Sequence, residues 1–195
     1  VDVATGNGQA AVSLAAFADR VVACDINEDQ LAHAIEHPRV AYRQAPADDL
    51  PVDDHAADLV TVAAAVHWFD FEPFYDEVRR VLRDGGVIAV WTYRGISVDD
   101  EFDDVIRHLT DEVVHDFWRP EFEYIWNKYD NLPFPFDEVD PPRIASEYDW
   151  SFERLLGFIS TWSSVREHIR VEGTNPIDVV RAELEAAWGD TSEPR

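Results

Sequence analysis

The sequence predicts an α/β fold in which a doubly wound, mostly parallel sheet carries helices on both faces. Strand and helix signals alternate through the first 95 residues, and repeated βα units of this kind build parallel sheets with right-handed crossovers. Residues 58–66 form a nearly continuous apolar run, which is typical of a central parallel strand that is buried on both faces. A glycine-containing turn at residues 5–8 joins the first strand to the first helix.

The strands are predicted from short apolar runs, and the helices between them from caps and periodicity. The predicted strands are residues 1–4, 20–25, 40–43, 58–66 and 87–93. The first helix follows the glycine turn and extends to about Phe17. The second begins after the capping residue Asn27, which has capping-box spacing to Gln30, and its apolar face continues to Ile35.

The third predicted helix begins after Asp70, which is typical of a capping residue, and has Pro73 in its first turn. Its apolar periodicity continues to Leu82, and the pair Gly85–Gly86 is expected to end it before the last strand of this half.

From Ser97 onward helix signals dominate. A helix is predicted over residues 99–117, and two or three more between residues 152 and 188, the last capped by Asn175 with Pro176 at its first position. We therefore divide the chain into an α/β core at residues 1–95 and a mainly helical region at residues 96–195 that completes the same domain.

The charge balance restricts the partners of the protein. The chain has 40 Asp and Glu against 16 Lys and Arg, a formal net charge of −24 at pH 7. The electric field of so negative a chain repels phosphate backbones and anionic lipids, so nucleic acids and membranes are poor candidates for its binding partners. Acidic excess also suggests disorder, but 7 Trp, 11 Phe and regular apolar periodicity argue against it. We expect adaptation to high salt, where screening weakens the repulsion between surface carboxylates.

Cysteine content, apolar runs and the first residue give further expectations. The single Cys24 excludes an internal disulfide and fits a reducing compartment such as the cytoplasm. No apolar run approaches the roughly 18 residues of a membrane span. The chain opens at Val1 inside a strand signal and contains no Met, so we expect that preceding residues, with any targeting segment, have been lost.

The first turn and the end of the second strand together predict a nucleotide-like ligand. Gly6 and Gly8 let the backbone approach a ligand closely, and the following helix presents N–H groups. Asp25 ends the second strand, where a carboxylate can accept hydrogen bonds from both hydroxyls of a ribose. The alternative is that Asp25 caps the next helix.

Residues 2–8 resemble the Asp/Glu-x-Gly-x-Gly-x-Gly signature of class I S-adenosylmethionine-dependent methyltransferases, with Ala4 where the family usually has its first glycine. The resemblance implies a Rossmann-like methyltransferase fold that binds S-adenosylmethionine. It also implies that Asp2 lies near the ammonium group of the methionine moiety and helps to order the turn. The implied cofactor contacts in this half of the site are Asp2, Ala4, Gly6, Gly8, Asp25 and Ile26.

Later segments resemble the same family in the family's order. Residues 45–51 resemble the stretch that edges the adenine, with the backbone N–H of Ala47 and the carboxylate of Asp48 as implied contacts. Residues 64–70 resemble the end of the fourth strand, where Ala64 and Ala65 would line the methionine arm. Together with segments of the second half, they resemble the type 11, trans-aconitate-methyltransferase-like subgroup, in which that half covers a small-molecule substrate.

Methyl transfer from a sulfonium mainly requires the protein to align the acceptor and exclude water. His67 is the candidate base for a hydroxyl or amine acceptor; alternatively it fixes the local turn or the Trp68 ring. The candidate substrate contacts, each with core packing as the alternative, are Trp68, Tyr93, Trp126 and Trp162. The seven histidines show no metal-ligand clustering, so no metal site is predicted.

Two other functions remain open at this point. A nicotinamide-dependent oxidoreductase uses a glycine turn and a strand-end acid in the same order. A non-catalytic cofactor-binding domain would keep the fold without turnover. The sequence predicts neither the methyl acceptor nor the oligomeric state.

Overall fold

The computed structural model describes residues 1–93, 95–142 and 144–195, and its first half is built on one parallel sheet of five strands. The strands are β1 (Asp2–Val3), β2 (Val21–Asp25), β3 (Val40–Gln44), β4 (Ala57–Ala63) and β5 (Leu82–Trp91). Their order is β3-β2-β1-β4-β5, with every pair parallel. The order reverses between β1 and β4, which is where such sheets bind ligands. The predicted doubly wound sheet is confirmed.

Eight α-helices lie within the described residues. They are α1 (Gln9–Leu14), α2 (Glu28–Leu31), α3 (Phe71–Val81), α4 (Asp100–His108), α5 (Phe122–Trp126), α6 (Phe152–Ile159), α7 (Ser163–Glu172) and α8 (Ile177–Trp188). A short 3-10 helix, Val66–Trp68, follows β4. Among these described helices, none combines the length and the apolar character that crossing a membrane requires.

The second helix is shorter than its sequence predicts. Asn27 caps it as expected, but through the N–H of Asp29 at 2.9 Å, and the helix ends at Leu31. The predicted continuation to Ile35 is wrong because the backbone of Ile35 is used elsewhere. Its N–H donates to the carbonyl of Asn7 at 2.9 Å, and its carbonyl accepts from the hydroxyl of Tyr42 at 2.7 Å.

The boundaries around β4 and β5 also differ from the prediction. β4 ends at Ala63 rather than Val66, because Ala64 has a left-handed backbone with φ 52° and turns the chain out of the sheet. α3 ends at Val81 and β5 begins at the next residue, so the pair Gly85–Gly86 lies within β5. Asp70 stands at the N-cap position of α3, but its side chain makes no capping hydrogen bond.

The chain forms two compact units. The first comprises residues 1–93 and 123–137, and the second comprises the described residues of 95–122 and 138–195. In the first unit, Val21 and Ala23 of β2 pack with α1, whereas Cys24 belongs to the cluster with α3. Because successive side chains of a strand point to opposite faces, the sheet is covered on both.

The second unit has an apolar core of its own. Buried side chains from α4, α6, α7 and α8 meet there, among them Phe102, Ile159, Val165 and Leu184. Asn175 accepts a hydrogen bond from the N–H of Ile177 at 3.1 Å, but α8 begins at Ile177, so that Pro176 rather than the predicted Asn175 stands at its N-cap position.

Candidate functional site

A cavity of about 270 Å³ lies in the first unit, where the first four strands end. Residues that follow each of these strands line it, with one further side chain from α3. The lining residues are Val3, Ala4, Ile26, Ala45, Pro46, Ala47, Asp48, Trp68, Phe69, Asp70 and Phe74. This volume is just below the range of about 300–1,000 Å³ that is usual for small-molecule pockets.

Asp2 is buried beneath the first turn and ties it to the neighbouring strand. The residue is 1% exposed, and its carboxylate accepts hydrogen bonds from the hydroxyl of Thr5 at 2.5 Å and of Thr61 at 2.6 Å. Burial raises the pKa of Asp2, while the two hydroxyls act in the opposite direction. Asp2 therefore orders the turn from below, and it is not among the residues that line the cavity.

Asp25 holds the glycine turn from the end of β2. One carboxylate oxygen accepts from the N–H of Gly6 and the other from the N–H of Asn27, each at 2.8 Å. Each oxygen of a carboxylate can accept two hydrogen bonds, so both oxygens retain the capacity to accept from a ribose hydroxyl. The same side chain thus shapes the turn and the approach to α2.

Several residues near the cavity have left-handed backbones. Ala4 and Ala64, at the ends of adjacent strands, have φ values of 53° and 52°, and Gly6 has a φ of 58°. Gly8, with φ 89°, is also required by packing, because a Cβ there would lie 2.0 Å from the hydroxyl oxygen of Tyr42. Packing against Tyr42 thus accounts for glycine at position 8.

His67 lies in the 3-10 helix after β4 and is 3% exposed. Its Nδ1 is 2.8 Å from the hydroxyl oxygen of Tyr129, and its ring centroid is 4.6 Å from that of Trp68. Trp68 lines the cavity and is 43% exposed, whereas His67 is not among the lining residues. The imidazole is therefore buried, contacts Trp68 and Tyr129, and does not line the cavity.

The structure brings some of the sequence-predicted site residues to the cavity and places others away from it. Five of them line the cavity: Ala4, Ile26, Ala47, Asp48 and Trp68. Others belong to the same unit without lining it: Asp2, Gly6, Gly8, Asp25, Ala64, Ala65, His67, Tyr93 and Trp126. Trp162 belongs to the second unit, where its ring centroid is 6.4 Å from Trp118 and 6.3 Å from Phe158.

Sequence reasoning did not select Val3, Phe69 or Phe74 as site residues, although all three line the cavity. Phe69 directly follows Trp68, so the run after β4 contained the signal. The contact of Tyr129 with His67 was not predicted, because it spans 62 positions and leaves no local pattern. Within the described residues, no group of three or more His, Cys, Asp or Glu is arranged to hold a metal ion.

A family model described as a methyltransferase domain matches residues 1–90, which contain the whole sheet except the last residue of β5. A solved structure from Anaeromyxobacter dehalogenans, described as a type II methyltransferase, is 40% identical to this chain with a TM-score of 0.91. The match covers 99% of this chain and 82% of that one. The chain belongs to the methyltransferase family.

Curated relatives agree with this methyltransferase assignment. A Dictyostelium discoideum protein named as a methyltransferase is 27% identical over 194 residues, 98% of this chain and 74% of its own length. A Mycolicibacterium smegmatis protein named as an S-adenosylmethionine-dependent methyltransferase is 35% identical over 99 residues, 50% of this chain and 38% of its own length. The similarity of the mycobacterial protein is thus confined to about half of this methyltransferase.

Proposed function

We propose that the protein transfers a methyl group from S-adenosylmethionine to a small-molecule acceptor, with the cofactor in the cavity at the strand ends. One observation carries the proposal: the cavity is lined by residues that follow β1, β2, β3 and β4, including five that the methyltransferase motifs select. When bound, the cofactor supplies an activated methyl carbon whose bond to sulfur breaks with the electron pair left on sulfur.

The residues around the cavity suit an adenosine. Ile26, which is 70% exposed, together with alanines from the β3 end, provides apolar surface for a ring. Asp48 provides a carboxylate that can accept from an exocyclic amine, and Asp25 can accept from ribose hydroxyls while holding Gly6. We assign Asp2 to ordering the turn and Ala64 and Ala65 to the methionine arm.

The acceptor is proposed to be a small molecule. The net charge of −24 disfavours nucleic acids and anionic membranes as partners. Trp68, at the cavity wall, is assigned to this end of the site, and Tyr93, Trp126 and Trp162 remain candidate contacts. The motifs after β4 support the trans-aconitate-methyltransferase-like subgroup, the acidic composition supports a salt-adapted source, and the single cysteine supports the cytoplasm.

The cofactor role of Asp25 is tested by calorimetric titration with S-adenosylhomocysteine in high salt. Asp25→Ala removes acceptors for ribose hydroxyls, so we expect binding to weaken by about 1–3 kcal/mol, roughly 5- to 150-fold. Asp29→Ala, four residues away on the exposed side of α2, serves as the matched control and should bind normally. Thermal unfolding of each variant shows whether the folded state survives the loss of the Gly6 contact. An unchanged affinity in folded Asp25→Ala would remove its assigned role.

The competing nicotinamide-dependent function is not favoured by the comparisons, and the same titration separates it. The wild-type protein should bind S-adenosylhomocysteine and leave NAD unbound. Binding of NAD alone would contradict the proposal. Binding of S-adenosylhomocysteine without turnover on any small-molecule acceptor would instead favour a non-catalytic binding domain.

A further inference from the structure

We propose that Tyr42 is a positioning residue for the glycine turn of residues 5–8, which it holds through its hydroxyl. The inference rests on the proposed function, because it takes this turn to be part of the cofactor site. Asp25, at the end of β2, holds the first half of the turn through the N–H of Gly6. The second half is held by a side chain of β3, the strand next to β2 in the sheet.

Two consecutive hydrogen bonds connect Tyr42 to the turn. The hydroxyl of Tyr42 donates to the carbonyl oxygen of Ile35 at 2.7 Å. The N–H of Ile35 donates in turn to the carbonyl oxygen of Asn7 at 2.9 Å. The hydroxyl therefore fixes the segment that follows α2, and this segment fixes the turn at Asn7.

Gly8 packs directly against the phenol end of Tyr42. A Cβ at position 8 would lie 2.7 Å from Cζ of Tyr42 and 2.8 Å from Cε1, and closer still to the hydroxyl oxygen. The backbone can approach the phenol this closely only because residue 8 is glycine. Gly8 directly precedes α1, and its carbonyl accepts from the N–H of Val12 at 2.9 Å. Tyr42 thus limits where the turn ends and α1 begins.

The ring of Tyr42 is itself held in place by the fold. In the parallel pairing of β2 with β3, Tyr42 stands opposite Ala23. Burial raises the pKa of Tyr42, so near neutral pH the phenol keeps the hydrogen that it donates. The ring packs against a small apolar cluster whose buried members are Ala11, Ala15, Val21 and Ala23. A phenylalanine ring would fill the same place, so Tyr42→Phe removes the hydroxyl and leaves the packing.

Tyr42 does not line the cavity, so it acts on a ligand only through the turn. A turn that is already ordered loses little conformational freedom when a ligand binds, whereas a loose turn must be ordered at that moment. Coupling of this kind is reciprocal, so a ligand that needs the ordered turn also stabilises the contact between Asn7 and Ile35. Ile35 does not line the cavity either, and its amide therefore reports the coupling without touching the ligand.

The first measurement is calorimetric titration with S-adenosylhomocysteine in high salt. In Tyr42→Phe we expect the Kd to rise by roughly 3- to 10-fold, as the loss of one hydrogen bond gives. Tyr124→Phe is the matched control, because it removes a phenol hydroxyl from α5, in the same unit, and should bind as the wild type does. A residue that only stabilised the fold would lower the melting temperature and leave the affinity of the folded protein unchanged.

The second measurement is amide hydrogen exchange. In ligand-free Tyr42→Phe the exchange of the Ile35 amide should become several-fold faster, while the amides of β2 keep their wild-type rates. In the wild type, saturating S-adenosylhomocysteine should slow the exchange of Ile35. In Tyr42→Phe this slowing should be smaller, because the hydroxyl no longer connects Ile35 to the turn.

An unchanged affinity in folded Tyr42→Phe would overturn the inference, and so would an exchange rate of Ile35 that neither the variant nor the ligand alters. If Tyr42→Phe does not fold, the effect of the ligand on Ile35 in the wild type carries the test, and its absence would be decisive against the inference. A wild-type protein that binds no S-adenosylhomocysteine would contradict the proposed function instead. The ligand-free exchange rates of Ile35 would then still show whether the hydroxyl holds the turn.

Discussion

At the scale of one residue, Ala4 is the position where the turn after β1 departs from the usual family pattern. The family usually has glycine at this position, and the structure gives Ala4 a φ of 53°. An L-residue in the left-handed region loses about 1–2 kcal/mol to the clash between its Cβ and the backbone. Position 4 therefore has a backbone conformation that favours glycine, although the residue is alanine. Contacts from the rest of the turn must stabilise this conformation. Asp2 and Asp25 supply those contacts through Thr5 and Gly6.

Ala4→Gly is expected to raise the free energy of unfolding by up to about 1 kcal/mol. It relieves the left-handed strain, and part of this gain is offset by the greater freedom of glycine in the unfolded chain. Urea unfolding in high salt measures the change. Ala10→Gly, inside α1, is the matched control and should lower stability by about 1 kcal/mol. A loss of stability in Ala4→Gly as large as in the control would show that the turn carries no strain at position 4.

At the scale of elements, the sequence predicted strands better than helix ends. Strands in the buried sheet are marked by apolar runs, and the structure places each predicted strand within a few residues of its expected position. The end of α2 was missed because it depends on hydrogen bonds from Ile35 to Asn7 and Tyr42, which local periodicity does not encode. The site followed the same rule. Five lining residues that follow strands were predicted, whereas Phe74 and Tyr129 reach the site region through tertiary packing.

One ionic network on α3 fixes the segment that lines the cavity after β3. Glu77, 8% exposed, accepts from the N–H of Leu50 at 2.6 Å and from Arg80 at 2.6 and 2.7 Å. Arg80 in turn donates to the carbonyls of Leu50 and Val52. Residues 45–48 lie just before this anchor, so α3 stabilises the adenine end of the proposed site.

Glu77→Gln is expected to lower the free energy of unfolding by about 1–3 kcal/mol near pH 7, because it weakens charge-assisted hydrogen bonds to a largely buried group. The hydrogen bond from Arg80 holds the pKa of Glu77 below its usual value. A lowered pKa gives stability that is complete above the ordinary glutamate pKa and is lost as the pH falls through the folded-state value.

The difference between wild type and Glu77→Gln should therefore shrink in urea titrations below about pH 4. Glu72→Gln, on the exposed first turn of the same helix, is the control and should change stability little at any pH. A difference that stays constant down to pH 3 would mean that the charge of Glu77 does not stabilise the fold.

At the scale of the whole molecule, the chain alternates between its two units. Residues 123–137 lie in the second half of the sequence but pack with the sheet-bearing unit, where Phe134 and Phe136 contact Tyr75. The predicted boundary at residue 95 was drawn from the end of the βα alternation. That pattern marks where the sheet stops, but it carries no information about a later segment that returns to it.

Net charge is the property of the whole molecule with the clearest consequence for stability. A formal charge of −24 on 195 residues brings carboxylates close together in the folded state, and their repulsion favours the expanded chain. Exposed ion pairs offset little of this, since such pairs contribute about 0–1 kcal/mol each. Salt reduces the repulsion because the Debye length falls from about 10 Å at 0.1 M to about 3 Å at 1 M.

The melting temperature should therefore rise steeply with sodium chloride between 0.1 and 2 M, by more than the 2–4 °C that about 1 kcal/mol gives in a chain of this size. The control is the same titration at pH 5.5 instead of pH 8. The net negative charge is smaller at the lower pH, so screening has less repulsion to remove and the rise should be smaller. Equal rises at both pH values would point to a general salting effect on apolar burial. A melting temperature that does not increase with salt would refute adaptation to high salt, because the carboxylate repulsion would then be too weak to limit stability.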